Sequence, residues 1–391
     1  MKVTVRSALD RISFQKMRRI APTLLAAHRQ GGELDWKPQQ LPEEVAFKLT
    51  NRCNLRCSHC YQWNEQGYHH ALHGAEKHGD LDLAIIEKVL LATQEIKSNV
   101  FIWGGEPLAY KAWDGLVDLL EKADRWTAIC TNGMLIGQRL ASLQRISNRL
   151  EMYVALDGFE VEHDALRGNG TFKKTMEGIH FLLNARKAGR YQGEVTVNCV
   201  IYDKMIGRLF DFVYFLQGQG VDAVYLSLPW YISESTATMM DNFFQEHLSS
   251  MAPASGSREA SWHSYTFKID SINADRLNLE LSRIKAKDWS IKVRYNPAVS
   301  ESEMREFLDG SHLPAQSKSK CLALRSRMDV YPNGNVVSCH LFPELMVGNL
   351  STAAVDDVWH GDQFDGVRKV VAKCGLMPIC AKCNLLYTRG A

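Results

Sequence analysis

An alternation runs through the first 230 or so residues and limits what this chain can fold into. Short apolar runs, VAFKLT (45–50), VFIWGG (100–105), TAICTNG (127–133), MYVALDG (152–158), VTVNCVI (195–201) and AVYLSLP (223–229), are separated by helix-length amphipathic segments. Asp82 reads as an N-cap, with Leu83, Ile86, Val89 and Leu90 following on one face. Helical patterns also cover 112–123, 173–188 and 206–217. Six strand–helix units in a row predict an α/β fold: a partial (β/α)6 TIM-like barrel with parallel strands, right-handed crossovers and helices outside. Several runs end in Gly or Cys motifs, at the strand ends where such a fold places its chemistry.

The pattern changes after about residue 230. MAPASGSREAS (251–261) is a Pro/Gly/Ser-rich break and predicts a surface loop. A helix near 270–286, a strand at IKVRYNP (291–297), a hairpin at MDVYPNGNVVSC (328–339) turning at Asn333-Gly334, and a short helix around 363–373 follow. Four segments result: a basic helical extension with a proline-bearing connector at 1–44, the barrel at 45–232, a connecting helix/strand region at 233–315, and a small α+β domain at 316–391.

Composition excludes some classes. With 46% hydrophobic and 23% charged residues, a chain of 391 residues buries a large core. A net charge of +2 gives no footprint for nucleic acid or an anionic membrane surface. No apolar run reaches about 18 residues, and charge interrupts the N-terminus throughout, so a cytoplasmic location is expected. There thiols stay reduced, and clusters among the ten cysteines point to metal or catalysis rather than disulfides.

LTNRCNLRCSHCY places Cys53, Cys57 and Cys60 at C-x3-C-x2-C directly after the first strand. Three thiolates hold three irons of a cubane and leave the fourth iron open, as a catalytic site requires. A zinc site with His59 as fourth ligand and a set of free thiols are the competing readings. Trp103-Gly104-Gly105-Glu106-Pro107 ends the second strand, Thr131-Asn132-Gly133 the third, and ALDGFEVEHDALRGNGTF (155–172) follows the fourth. With Tyr61 after the last cysteine, this ordered set resembles the radical S-adenosylmethionine (SAM) superfamily over about residues 45–232.

The resemblance implies a [4Fe–4S] cluster on Cys53, Cys57 and Cys60 whose open iron is chelated by SAM. It implies reductive cleavage to a 5′-deoxyadenosyl radical that abstracts hydrogen from an unactivated C–H bond. It also implies an electron donor such as flavodoxin or ferredoxin. Glu106 would accept hydrogen bonds from the methionine ammonium, Gly104 and Gly105 would allow close backbone approach, and Tyr61 would cover the adenine side. Asn132, Asp157 and Arg167 are further candidates for contacts with SAM, the last two alternatively with substrate. Ala155 departs from the family's common Ser, so that hydrogen bond is missing. No catalytic side chain is assigned.

Cys321, Cys339, Cys380 and Cys383 resemble the ligands of a twitch domain, the shortened SPASM domain, which implies one auxiliary [4Fe–4S] cluster. Cys374 either replaces one of these or stands free beside them, and a zinc ribbon is the alternative. Cys130 and Cys199 fall in core strands, where a free thiol serves as a small hydrophobe. Too few cysteines remain for a second auxiliary cluster. His69, His70, His73 and His78 lack regular ligand spacing and predict a solvated loop. Trp230 and Tyr231 read equally as substrate-mouth or packing residues. The leading expectation is oxidation or epimerisation of a small-molecule or sugar-like natural-product substrate; the alternative is a maturase acting on a ribosomally made peptide or protein side chain. Neither nucleic acid nor membrane is an expected partner.

Overall fold

The computed structural model describes residues 38, 40–249 and 259–390. The extension expected at 1–44 lies outside the described residues up to residue 37, as does most of the expected loop at 251–261.

Each of the six apolar runs forms a strand: β1 (Glu44–Lys48), β2 (Asn99–Trp103), β3 (Thr127–Thr131), β4 (Leu150–Ala155), β5 (Glu194–Val200) and β6 (Ala223–Ser227). They pair in chain order and in parallel. Strand alternation sorts their two faces. Val45, Phe47 and Ile102 join the large core under the outer helices, whereas Ala46 and Trp103 join Tyr331 and Val337 in a small inner cluster. The first crossover helix, Leu83–Ala92, starts as expected, with the Asp82 carboxylate accepting from Ala84 N at 2.9 Å. Helices Trp113–Ala123, Thr171–Lys187 and Leu209–Gln219 follow the remaining amphipathic patterns.

Two features extend this barrel beyond six strands. The strand at β7 (Lys292–Asn296) pairs in parallel with β6, so the connecting region contributes a seventh parallel strand. Its KVRYN sequence is only half-buried, which is why its apolar signal is weak. The tail hairpin, β8 (Arg327–Val330) and β9 (Asn335–Val337), turns at Gly334 with φ +81°, a conformation that favours glycine. β8 pairs in parallel with β1, while β9 runs antiparallel between β8 and β10 (Met346–Asn349). One ten-stranded sheet therefore runs β10-β9-β8-β1 through β7, continuous from barrel to tail. Among the described residues, no helix is long and apolar enough to cross a membrane.

Candidate functional site

The Cys53–Cys60 loop leaves β1 without regular structure and is held by the ends of the neighbouring strands. From β2, Gly105 N donates to Thr50 O and Glu106 N to Arg52 O, both at 2.8 Å. A Cβ on Gly105 would lie 2.1 Å from Arg52 O, and one on Gly104 2.7 Å from Thr50 O. These glycines thus seat the cysteine loop's own backbone, a close approach that sequence had aimed at the cofactor.

Glu106 is fully buried. Its Oε1 accepts from Leu108 N at 2.9 Å and Thr131 Oγ1 at 2.7 Å, and its Oε2 accepts from Asn132 N at 2.8 Å. Burial pushes the carboxyl up in pKa against the pull of these three donors. A carboxylate accepts about four hydrogen bonds, so one lone pair of Oε2 is still available. Asn132 also donates from Nδ2 to Asn54 Oδ1 at 2.7 Å, tying β3 to the loop one residue beyond Cys53.

From β4 and the helix Glu160–Arg167 comes a buried ion pair. Asp157 is fully buried; its Oδ1 accepts from Val200 N at 2.8 Å and its Oδ2 from Arg167 Nε at 2.6 Å. Arg167 continues to Cys57 Sγ at 3.8 Å and His59 Nε2 at 3.4 Å. Burial pushes the Asp157 carboxyl up, but the Arg167 guanidinium, through its charge and its hydrogen bond, outweighs it and holds it below the usual range. Asp157 therefore faces the loop through Arg167, whose guanidinium reaches Cys57 Sγ.

Burial pushes Cys53 up to about 12 and Cys57 to about 11, and raises Cys60 as well. Metal loading must displace these protons. Two buried polar atoms on this loop, His59 Nδ1 and Gln62 Oε1, have no hydrogen-bond partner among the described residues. Burial also lowers His59 to about 4, so its ring is neutral. Unsatisfied polar atoms beside three thiols fit a loop built around a bound group.

The four terminal cysteines converge. Cys321, Cys339, Cys380 and Cys383 line one cavity, together with His340, Arg327 and Asp329. Buried His340 Nδ1 likewise has no partner among the described residues. Burial pushes all four thiols up, Cys383 to about 12. Cys374 is exposed at the end of helix Asp362–Cys374 and does not line this cavity. At either site, no three Cys, His, Asp or Glu side chains among the described residues converge on a single-ion position.

Aromatic side chains join the two sites. Tyr61 stacks on Tyr265 at 4.4 Å and 11°, and lies 5.8 Å from Trp230. Trp230 lies 6.0 Å from His340 and donates from Nε1 to Asn384 Oδ1 at 2.6 Å. Trp230 thus bridges the first loop to residues adjoining Cys339 and Cys383.

Below this group sits Lys48, 1% exposed on the inner face of β1. Its Nζ lies 3.0 Å from both Tyr68 OH and His69 Nε2, and 4.8 Å from the Tyr331 ring centre. Burial lowers its pKa to about 7. His69, expected on a solvated loop, is fully buried here, because this contact draws it inward. Sequence reasoning passed over Lys48, although a lone charge inside VAFKLT was its signal. Tyr265 carried no comparable signal, lying some 200 residues from Tyr61.

Family comparison agrees with this geometry. The radical SAM superfamily model matches residues 47–205, and the SPASM iron–sulfur cluster-binding domain matches 321–384. The chain belongs to the radical SAM superfamily and carries a C-terminal SPASM domain. With that membership come a [4Fe–4S] cluster, SAM and auxiliary iron–sulfur.

Among curated proteins it is 26% identical over 170 residues to mycofactocin maturase MftC of Mycobacterium ulcerans, covering 43% of this chain and 42% of that one. It is 28% identical over 148 residues to the antilisterial bacteriocin subtilosin biosynthesis protein AlbA of Bacillus subtilis, 36% and 31% of the two chains. It is 27% identical over 186 residues to pre-heme d1 synthase of Dinoroseobacter shibae, 47% and 42%. The matches thus span less than half of each relative's length. Streptococcus suis SuiB bound to precursor peptide SuiA superposes with a TM-score of 0.56 at 16% identity, over 99% of this chain and 78% of that one, and supports the fold.

Proposed function

We propose that this chain is a radical SAM maturase that abstracts hydrogen from a carbon of a ribosomally made peptide. Cys53, Cys57 and Cys60 hold the SAM cluster, and Cys321, Cys339, Cys380 and Cys383 hold one auxiliary [4Fe–4S] cluster. The observation that carries the reading is the pinning of a three-thiol loop by the ends of β2 and β3 and the helix after β4, in a chain whose tail gathers four further thiols on one cavity. When bound, the cluster and SAM supply the hydrogen-abstracting radical.

The chain's own residues do the rest. Glu106 Oε2 offers its remaining lone pair to the SAM ammonium, while three internal donors fix the carboxylate's orientation. Arg167 places positive charge beside Cys57. Tyr61, Tyr265 and Trp230 cover the inner face between the two sites and exclude water from it. The peptide substrate is favoured by the relatives named for maturation and bacteriocin biosynthesis. It displaces the small-molecule reading, which sequence placed first and which keeps support from the pre-heme d1 synthase likeness.

The test incubates reconstituted, reduced protein with SAM and short peptides encoded beside its gene. 5′-Deoxyadenosine should form in step with a mass change on one peptide. Turnover of a tetrapyrrole, with every peptide left unmodified, would move the assignment to the second reading.

A further inference from the structure

We propose that a buried ion network of Glu44, Arg327, Asp329 and Arg389 sets the reduction potential of the auxiliary cluster by holding two guanidinium groups beside its thiolates. The inference rests on Cys321, Cys339, Cys380 and Cys383 holding that cluster, as proposed above.

The network lies at the seam between barrel and tail. Glu44 opens β1 and Arg327 opens β8, and the two are register partners in the parallel pairing. Arg327 Nη1 bonds Glu44 Oε1, while Nε and Nη2 form a bidentate pair with Asp329 at 2.8 and 2.9 Å. Arg389, from the last helix (Asn384–Arg389), reaches Glu44 Oε2 at 2.6 Å and Ser326 Oγ at 3.2 Å. Arg327 and Asp329 are each about 95% buried, and both line the four-thiol cavity. Arg389 is adjacent to Gly390, which forms a β-bridge with Cys321.

Stability alone is a weak reason to bury four charges. Desolvation costs several kcal/mol per ion, and apolar replacements of such networks are often as stable. Position supplies a better reason. A cubane on four thiolates is a net anion, and its potential follows the local charge and hydrogen bonding. The Arg327 side chain lines the cavity that the four thiols share, and Arg389, through Glu44, belongs to the same network next to the Gly390 bridge to Cys321. A cation there favours the electron-rich state of the cluster; the Asp329 carboxylate on the same wall opposes it.

The network therefore predicts shifts of opposite sign from two substitutions on one wall. EPR-monitored redox titration of the reconstituted holoprotein reads them directly. SAM perturbs only the signal of the cluster with an open iron, so the SAM-insensitive signal reports the auxiliary cluster. Arg327→Gln should make that cluster harder to reduce, by about tenfold in the reduced-to-oxidised ratio at fixed potential, equivalent to about 59 mV for one electron. Asp329→Asn should shift it by a similar amount the other way. Structural loosening would give no such sign reversal.

If Arg327→Gln does not fold, Arg389→Gln replaces it, with the same expected direction and a smaller shift. Shifts of the same sign, or unchanged potentials in both variants, overturn the proposal. Wild-type protein with about four irons and no SAM-insensitive signal would instead refute the auxiliary-cluster assignment itself, a result distinct from failure of the network.

Discussion

The two cysteine sites differ in how they are built, and under the proposed function that difference separates their tasks. The first is local in sequence and open: three thiols within eight residues, on an irregular loop held from outside by the ends of β2, β3 and the helix after β4. The second is dispersed and closed: four thiols spread over 63 residues, converging on one cavity backed by buried charge. Three ligands leave an iron for SAM, whereas four leave none. An open site must be positioned by its surroundings, because its ligands do not fix everything it binds; a closed one is organised largely by the metal itself.

This contrast can be broken first at its most sensitive point. Changing Cys53, Cys57 and Cys60 together to Ala should halve the iron from about eight to about four per chain and abolish SAM cleavage. Iron quantification and 5′-deoxyadenosine assay check it; iron content equal to wild type would remove the open site from this loop.

A smaller effect is expected at the loop's external support. Asp157→Asn leaves the nearly buried Arg167 without its ion-pair partner, which should cost about 3–5 kcal/mol. The midpoint of a denaturant titration measures this, and an unchanged midpoint would mean that the pair does not hold the loop. Smaller still is Glu106→Gln. It keeps the shape but turns an NH2 group toward Asn132 N–H or toward the Leu108 and Thr131 donors, and it removes the charge facing SAM. SAM should bind about tenfold more weakly, or about 1.4 kcal/mol. Equal affinity would confine Glu106 to joining β2 and β3.

The same contrast explains what was legible in the sequence. The barrel strands, the Asp82 cap and the first cysteine loop could be read because their determinants are contiguous. The strand at 291–297 was legible as a strand, but its place beside β6 as a seventh barrel strand was not, because half-buried KVRYN does not encode which strand it pairs with. At the candidate site, the residue types at Glu106, Asn132 and Arg167 were legible, but their partners were not. Gly104 and Gly105 meet the loop backbone, Asn132 meets Asn54, and Asp157 meets Arg167. Lys48 and Tyr265 acquire their meaning from contacts across the barrel, which no local pattern encodes. The ion network unites residues 44, 327, 329 and 389 only because β8 pairs with β1.

The division of labour between the sites is tested most directly by replacing Cys380 and Cys383 with Ala in the full chain. Circular dichroism and iron content first establish that the variant is folded and retains about four irons. It should then still cleave SAM to 5′-deoxyadenosine while converting no substrate. A folded variant that loses all SAM cleavage, or one that turns over substrate at the wild-type rate, would contradict the assignment of separate tasks to the open and closed sites.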